Sequence, residues 1–324
     1  MRILVIGGTR FVGRHFVDQA LARGHEMTLF HRGSTGPDLF PGCEHRFGDR
    51  NGDLSTLAEG TWDATVDTCA YLPRQVHALA DALGERGGRH LLVSSVSVYA
   101  APDGPGIDEE ARLIELDDPA VEDVTAENYG GLKVLCERAA AERHGPTTVL
   151  VRPSYVVGPD DYTWRFPWWV ARLARGGEVV VPGPADAPAQ VIDARDMGEW
   201  MVQLLEDGRS GAFHAASPPP LFTWGDQIES IAEAVAPQGT TLTWVEPEAV
   251  EKAGIGQESF PLWSGDDPDV WIMAADPARA FATGLTPRPL ADTVRDTLAW
   301  TRTVDMPAGA GVTPEQERVL LRRD

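Results

Sequence analysis

Short apolar runs rich in β-branched residues alternate, through the first half of the chain, with longer stretches of helical periodicity. That is the rhythm of βαβ units building a parallel sheet. Residues 3–6, Ile-Leu-Val-Ile, predict a first strand. From Phe11 to Arg23 apolar positions recur at helical spacing and stop at Gly24 and His25, which predicts a helix over 11–23 and a second strand over 26–30. Further strands are predicted at 45–47, 64–68, 90–94 and 147–151, with helices between them. The fold class expected is α/β, a Rossmann-type doubly wound parallel sheet with a smaller C-terminal lobe.

Between Asp103 and Glu127 the chain turns acidic, and Pro102, Pro105 and Pro119 interrupt it, which predicts an irregular surface excursion. Beyond about residue 158 the character changes, since nine of the ten tryptophans lie from Trp164 onward. Large aromatics pack cores more often than they touch ligands, but such a lobe suits substrate binding. The expected division is a Rossmann domain over 1–158, a substrate lobe over 159–304 from which about 188–215 returns to the first domain, and a linker with a terminal helix over 305–324. Thr313 and Gln316 have capping-box spacing and Pro314 suits the first helical position. Val319, Leu320 and Leu321 would dock on the body or on another copy of the chain.

A chain of 324 residues with 43% hydrophobic and 24% charged residues reads as folded and globular. A formal net charge of −21 repels phosphate backbones and anionic membranes, so neither nucleic acid nor membrane is expected as a partner. Local arginines can still hold one anionic cofactor. Cys43, Cys69 and Cys136 suit neither a disulfide framework nor a metal site, and the apolar run at 3–6 is too short for an export signal. A cytoplasmic location and no metal are expected.

Directly after the first predicted strand stands Gly7-Gly8-Thr9-Arg10-Phe11-Val12-Gly13, opening the first helix. Backbone N–H groups and the helix dipole at such a turn hold a pyrophosphate. After the second strand, where NAD-specific folds place an acid on the ribose 2′-hydroxyl, the chain has His31-Arg32-Gly33. Arg32, with Arg10 as a second positive group, matches a 2′-phosphate, so NADP is preferred over NAD. Asp49, after the third strand, lies where adenine is often contacted, although a turn aspartate would look the same. Tyr129 and Lys133 are four residues apart and share a helix face. A neighbouring ammonium favours the phenolate, which fits a tyrosine for proton exchange with a carbonyl or hydroxyl. The strand at 90–94 ends in Ser94-Ser95-Val96-Ser97, hydroxyls at the sheet end where ligands bind, or alternatively turn formers and caps. Arg152-Pro153 follows the next strand.

Together these four segments resemble the extended short-chain dehydrogenase/reductases, in the NAD-dependent epimerase/dehydratase family. The resemblance selects Ser95, four residues before Tyr99, as the catalytic hydroxyl, and Tyr129 with Lys133 as the active-site pair. It implies that Lys133 binds the nicotinamide ribose, that Pro153 borders the nicotinamide, and that the protein is a homodimer. Arg10 replaces the usual middle glycine, as in an atypical branch carrying Gly-Gly-Thr-Arg-Phe. Val96 and Ser97 stand where sugar dehydratases carry an acidic pair, which disfavours dehydration. Ala189 stands where nucleotide-sugar enzymes tend to place a diphosphate-binding arginine. The expectation is an NAD(P)H-dependent ketoreductase acting on a small-molecule carbonyl, with an NAD-dependent sugar epimerase as the alternative. A third reading is a non-catalytic, cofactor-binding or RNA-associated protein, since the chloroplast stem-loop-binding proteins share the turn; the charge speaks against RNA.

Overall fold

In the computed structural model, which describes residues 1–265, 267 and 269–322, the chain divides into two compact units. The first comprises Met1–Ser154, Ala194–Ala216 and Ala275–Thr286; the second comprises Tyr155–Asp193, Ser217–Ala274 and Pro287–Asp324.

Seven parallel strands form the sheet of the first unit: β1 (Arg2–Ile6), β2 (Glu26–His31), β3 (Glu44–Phe47), β4 (Ala64–Asp67), β5 (Arg89–Val93), β6 (Val149–Pro153) and the strand Gly211–Ala215. Their spatial order runs from Gly211–Ala215 through β6, β5, β4, β1 and β2 to β3. Ile3 of β1 pairs with Met27 on one side and Ala64 on the other, so the chain order reverses between β1 and β4. In open α/β sheets ligands bind at the carboxyl ends of the strands flanking that reversal. Ile3, Leu4, Val5 and Ile6 are all buried, a continuous apolar run because both faces of a central parallel strand are covered.

Helix α1 (Phe11–Ala22) joins β1 to β2 and packs on the helix Ala194–Glu206. A Cβ on Gly198 would lie 3.0 Å from the Phe16 nitrogen, so the two helices approach closely only because that position is glycine. Helix α2 (Pro73–Leu83) packs on α3 (Ala126–His144). The strands predicted at 3–6, 26–30, 45–47, 64–68 and 90–94 are present within a residue at either end. The one predicted at 147–151 starts later: Pro146 and Thr147 lie in a short 3-10 turn, and the Thr148 hydroxyl donates to Gly145 O at 2.8 Å. Residues 101–125 form neither helix nor strand.

The second unit is built around indoles. Trp168, Trp169, Trp224 and Phe260 are buried in one cluster with Val179, Val180 and Ile228. Each buried N–H needs an acceptor: Trp169 donates to Pro261 O, Trp224 to Pro182 O and Trp263 to Gly183 O. These tryptophans are therefore core. The predicted terminal helix is present at Pro314–Leu321, capped by Thr313. Buried Glu317 pairs with buried Arg172 at 2.8 Å, and Leu320 and Leu321 pack on the tryptophan cluster while Val319 stays exposed.

Candidate active site

The glycine turn is shaped by what each missing Cβ would strike. Gly7 (φ 107°) would meet Thr68 Oγ1 at 2.5 Å, and Gly13 would meet the Gly8 nitrogen at 2.7 Å. Only glycine lets α1 start so close to the end of β1. Thr9 and Phe11 are buried, Val12 is half-buried, and Arg10 is exposed at the cap position. No side chain caps α1 and no acid lies in its first turn. A backbone cradle at a helix start with no acid in its first turn fits the diphosphate of a dinucleotide.

Arg32 is exposed in the turn after β2. The His31 ring behind it is fully engaged. Gly33 N–H donates to His31 Nδ1 at 3.1 Å, which leaves Nε2–H to donate to His45 Nδ1 at 2.8 Å, and His45 Nε2–H to donate to Phe40 O at 3.1 Å. Burial, and then His45, lower the His31 pKa. A neutral, saturated ring holds the turn and leaves Arg32 as the group that projects from it. Asp49 follows β3 as expected; it is exposed, and its Oδ1 accepts from Asn51 N at 2.9 Å, so it also forms a turn.

Lys133 is 3% exposed. Its Nζ donates to Val93 O, at the end of β5, at 2.7 Å and to Ala70 O, beyond β4, at 2.8 Å. Among the described residues no carboxylate pairs with it. A buried ammonium met only by carbonyls costs free energy that a purely structural lysine would avoid. Tyr129 stands one turn earlier on α3 and is half-buried. Ser95 lies two residues beyond β5, so the strand end that accepts from Lys133 also carries the hydroxyl. Its Oγ accepts from Ser97 N at 3.1 Å and donates to Ser97 Oγ at 3.0 Å, so in this structure it also caps a short turn. Pro153 ends β6, buried, beside Arg152, which is itself locked to buried Glu137 of α3 by two bonds of 3.0 and 2.7 Å.

Three features escaped the sequence reading. Arg50 forms a bidentate pair with Asp67, the last residue of β4, at 2.6 and 2.8 Å. Burial alone would raise the Asp67 carboxyl, but the Arg50 guanidinium holds it below its ordinary value. Gln75, buried on α2, accepts from the backbone N–H groups of Tyr71 and Leu72 at 2.9 and 3.2 Å, fixing the loop after β4. Tyr71 on that loop faces Lys133, with Nζ 5.7 Å from its ring centroid, and its ring centre lies 6.3 Å from that of Tyr129. A glutamine two residues after Pro73 was no signal by itself, and the partners of Arg50 and Tyr71 lie farther along the chain. Burial pushes the Cys136 thiol up to about 11 and raises Cys69, so neither offers a thiolate at neutral pH. Among the described residues no group of three metal-ligating side chains is assembled, and no helix is long and apolar enough to cross a membrane.

The sequence pattern of the NAD-dependent epimerase/dehydratase family matches residues 58–215. A curated relative, the chloroplast stem-loop binding protein of 41 kDa b from Arabidopsis thaliana, is 25% identical over 221 residues, which is 63% of this chain. The match spans about half, 55%, of that relative's length. Among solved structures, UDP-N-acetylglucosamine 4-epimerase from Bacillus cereus is 17% identical with a TM-score of 0.68, covering 95% of this chain and 99% of that one. UDP-glucuronic acid 4-epimerase from Bacillus cereus, solved in complex with NAD, is 16% identical with a TM-score of 0.67, covering 94% and 99%. At such identities the likeness is one of fold.

Proposed function

We propose that this chain, whose residues 58–215 match the pattern of the NAD-dependent epimerase/dehydratase family, is an NADP(H)-dependent ketoreductase acting on a small-molecule carbonyl. The observation that carries the reading is Lys133, a buried ammonium held by two carbonyls one helical turn from Tyr129. Its third N–H is left for a ligand.

The residues fit the cofactor. The Gly7–Gly13 turn and the start of α1 would hold the diphosphate, Arg32 and Arg10 the 2′-phosphate, Lys133 the nicotinamide ribose, and Pro153 would border the ring. When bound, the nicotinamide supplies the hydride. The Ser95 hydroxyl turns its proton from Ser97 Oγ to the substrate oxygen and orients the carbonyl. Tyr129 gives that oxygen its phenolic proton as the carbon is reduced, and the Lys133 charge stabilises the phenolate left behind.

Nicotinamide fluorescence titrations of the wild type and of Arg32→Ala test the cofactor preference. Tight NADPH binding that weakens about tenfold in the variant, with NADH unaffected, is expected from the loss of one phosphate contact. Tyr129→Phe should abolish carbonyl reduction and leave NADPH affinity within about twofold, since only the proton donor is removed. Turnover retained in that variant overturns the assignment.

The fold shared with UDP-sugar 4-epimerases favours a second reading, an epimerase that oxidises and re-reduces one sugar carbon with the same residues. NAD retained through purification and indifferent to Arg32→Ala would favour it. Ala189, where such enzymes tend to carry arginine, counts against it.

A further inference from the structure

We propose that Tyr71 is a positioning residue of the reaction site, its ring adding a third attraction to the Lys133 ammonium beside the two carbonyls. The proposal rests on the reading of Lys133 as a cofactor ligand and extends it to a residue on another loop. Ala70, whose carbonyl accepts from Nζ, immediately precedes Tyr71, so carbonyl and ring reach the lysine from one turn of chain. At 5.7 Å from the ring centroid the ammonium lies within the range of cation–π attraction. The same ring meets Tyr129 at 6.3 Å with planes tilted by 48°, within the range of aromatic pairs. Tyr71 therefore touches both members of the pair that α3 contributes.

Its loop is set before any ligand arrives. Gln75 accepts from Tyr71 N and Leu72 N, and its Nε2 donates to Asn51 Oδ1 at 2.8 Å. Tyr71 remains 40% exposed. An exposed aromatic adds little to the core, so its placement over a buried charge is better accounted for by what it does to that charge. The two carbonyls and the Cε–Nζ bond set where the third N–H points; the ring adds an attraction that holds Nζ in that place.

Dissociation constants for NADPH and for 2′,5′-ADP, which lacks the nicotinamide ribose, separate positioning from general structure. Tyr71→Leu should weaken NADPH about tenfold and change 2′,5′-ADP less than about twofold. Tyr71→Phe, which keeps the ring face, should match the wild type for both ligands. Lys133→Met serves as the reference and should reproduce the selective loss of NADPH. An unchanged ratio of the two affinities in Tyr71→Leu, with a changed ratio in Lys133→Met, overturns the proposal. So does a Tyr71→Phe variant as defective as Tyr71→Leu, which would place the effect in the hydroxyl. If Lys133→Met leaves the ratio unchanged, the role of Lys133 toward the cofactor fails first and this inference falls with it.

Discussion

A single methyl group at Gly13 would sit 2.7 Å from the Gly8 nitrogen and 3.0 Å from its Cα, both backbone atoms that cannot step aside. Gly13→Ala should therefore push the start of α1 away from the turn. The expected outcome is at least tenfold weaker NADPH binding, together with a lower urea midpoint, because both depend on the same close approach. An unchanged cofactor affinity would mean that the turn does not hold the diphosphate. The glycines were legible because their signal is local, a strand followed at once by small residues and a helix. Tyr71 was not legible: nothing in Cys69-Ala70-Tyr71-Leu72 announces that its ring meets a lysine 62 positions later.

At the scale of elements, α3 is fastened to the sheet by charge as well as by apolar packing. Arg152 on β6 binds Glu137 at 2.7 Å, and its NH1 donates to Tyr99 Oη at 2.6 Å. The phenol in turn donates to His214 Nε2 at 2.5 Å. Burial drives the Tyr99 hydroxyl up to about 12, against the pull of Arg152, so it remains a proton donor at neutral pH. Arg152→Met leaves the Glu137 charge buried alone and should cost roughly 3–5 kcal/mol in urea unfolding, whereas Arg152→Met with Glu137→Leu should recover most of that loss. No recovery in the double variant would show that the pair is not the fastening. A second element-scale prediction concerns His90 on β5. Its ring stacks on His144 at 4.1 Å and 7°, and among the described residues no group bonds either ring nitrogen. His90→Phe keeps a flat ring and removes two unsatisfied polar atoms, so stability at pH 7 should rise by about 1 kcal/mol. A destabilised variant would indicate that the nitrogens are bonded in solution.

For the whole molecule, His31, His90, His144 and His214 all have pKa values lowered chiefly by burial, that of His90 to about 3. In the unfolded chain these rings return to about 6.5 and bind protons more readily than in the fold. Their contribution to stability is complete above that value and is lost as pH falls from about 6.5 toward about 3. Asp161, whose carboxyl burial raises, works in the opposite sense at the acid end. Urea midpoints should thus fall between pH 7.5 and 5.5, and fall less in His90→Phe; a midpoint that rises on acidification would contradict the assignment. The formal charge of −21 bears on partners at the same scale. Although the Arabidopsis relative is named for stem-loop binding, an RNA stem-loop should show no mobility shift with this protein at physiological salt, and a salt-sensitive shift would reverse that expectation.

What the sequence determined by itself was whatever acts over a few residues. Strand and helix periods, the glycine turn, the Thr313 capping box and the spacing of Tyr129 from Lys133 all belong to neighbours along the chain, and all predicted their elements to within a few residues. Turn chemistry left Asp49 and Ser95 ambiguous, because a capping side chain and a ligand-binding one are the same residue until its partner is known. The tertiary structure alone decided that the carbonyls of Ala70 and Val93 converge on Lys133, across 63 and 40 positions, and that Arg50 finds Asp67. It also decided that Ala275–Thr286 joins the first unit, beyond the return of about 188–215 that the sequence had led one to expect. The physical reason is that hydrophobic period and backbone conformation are short-range properties, whereas the partner of a buried charge depends on strand order and register, which appear only when the sheet is assembled.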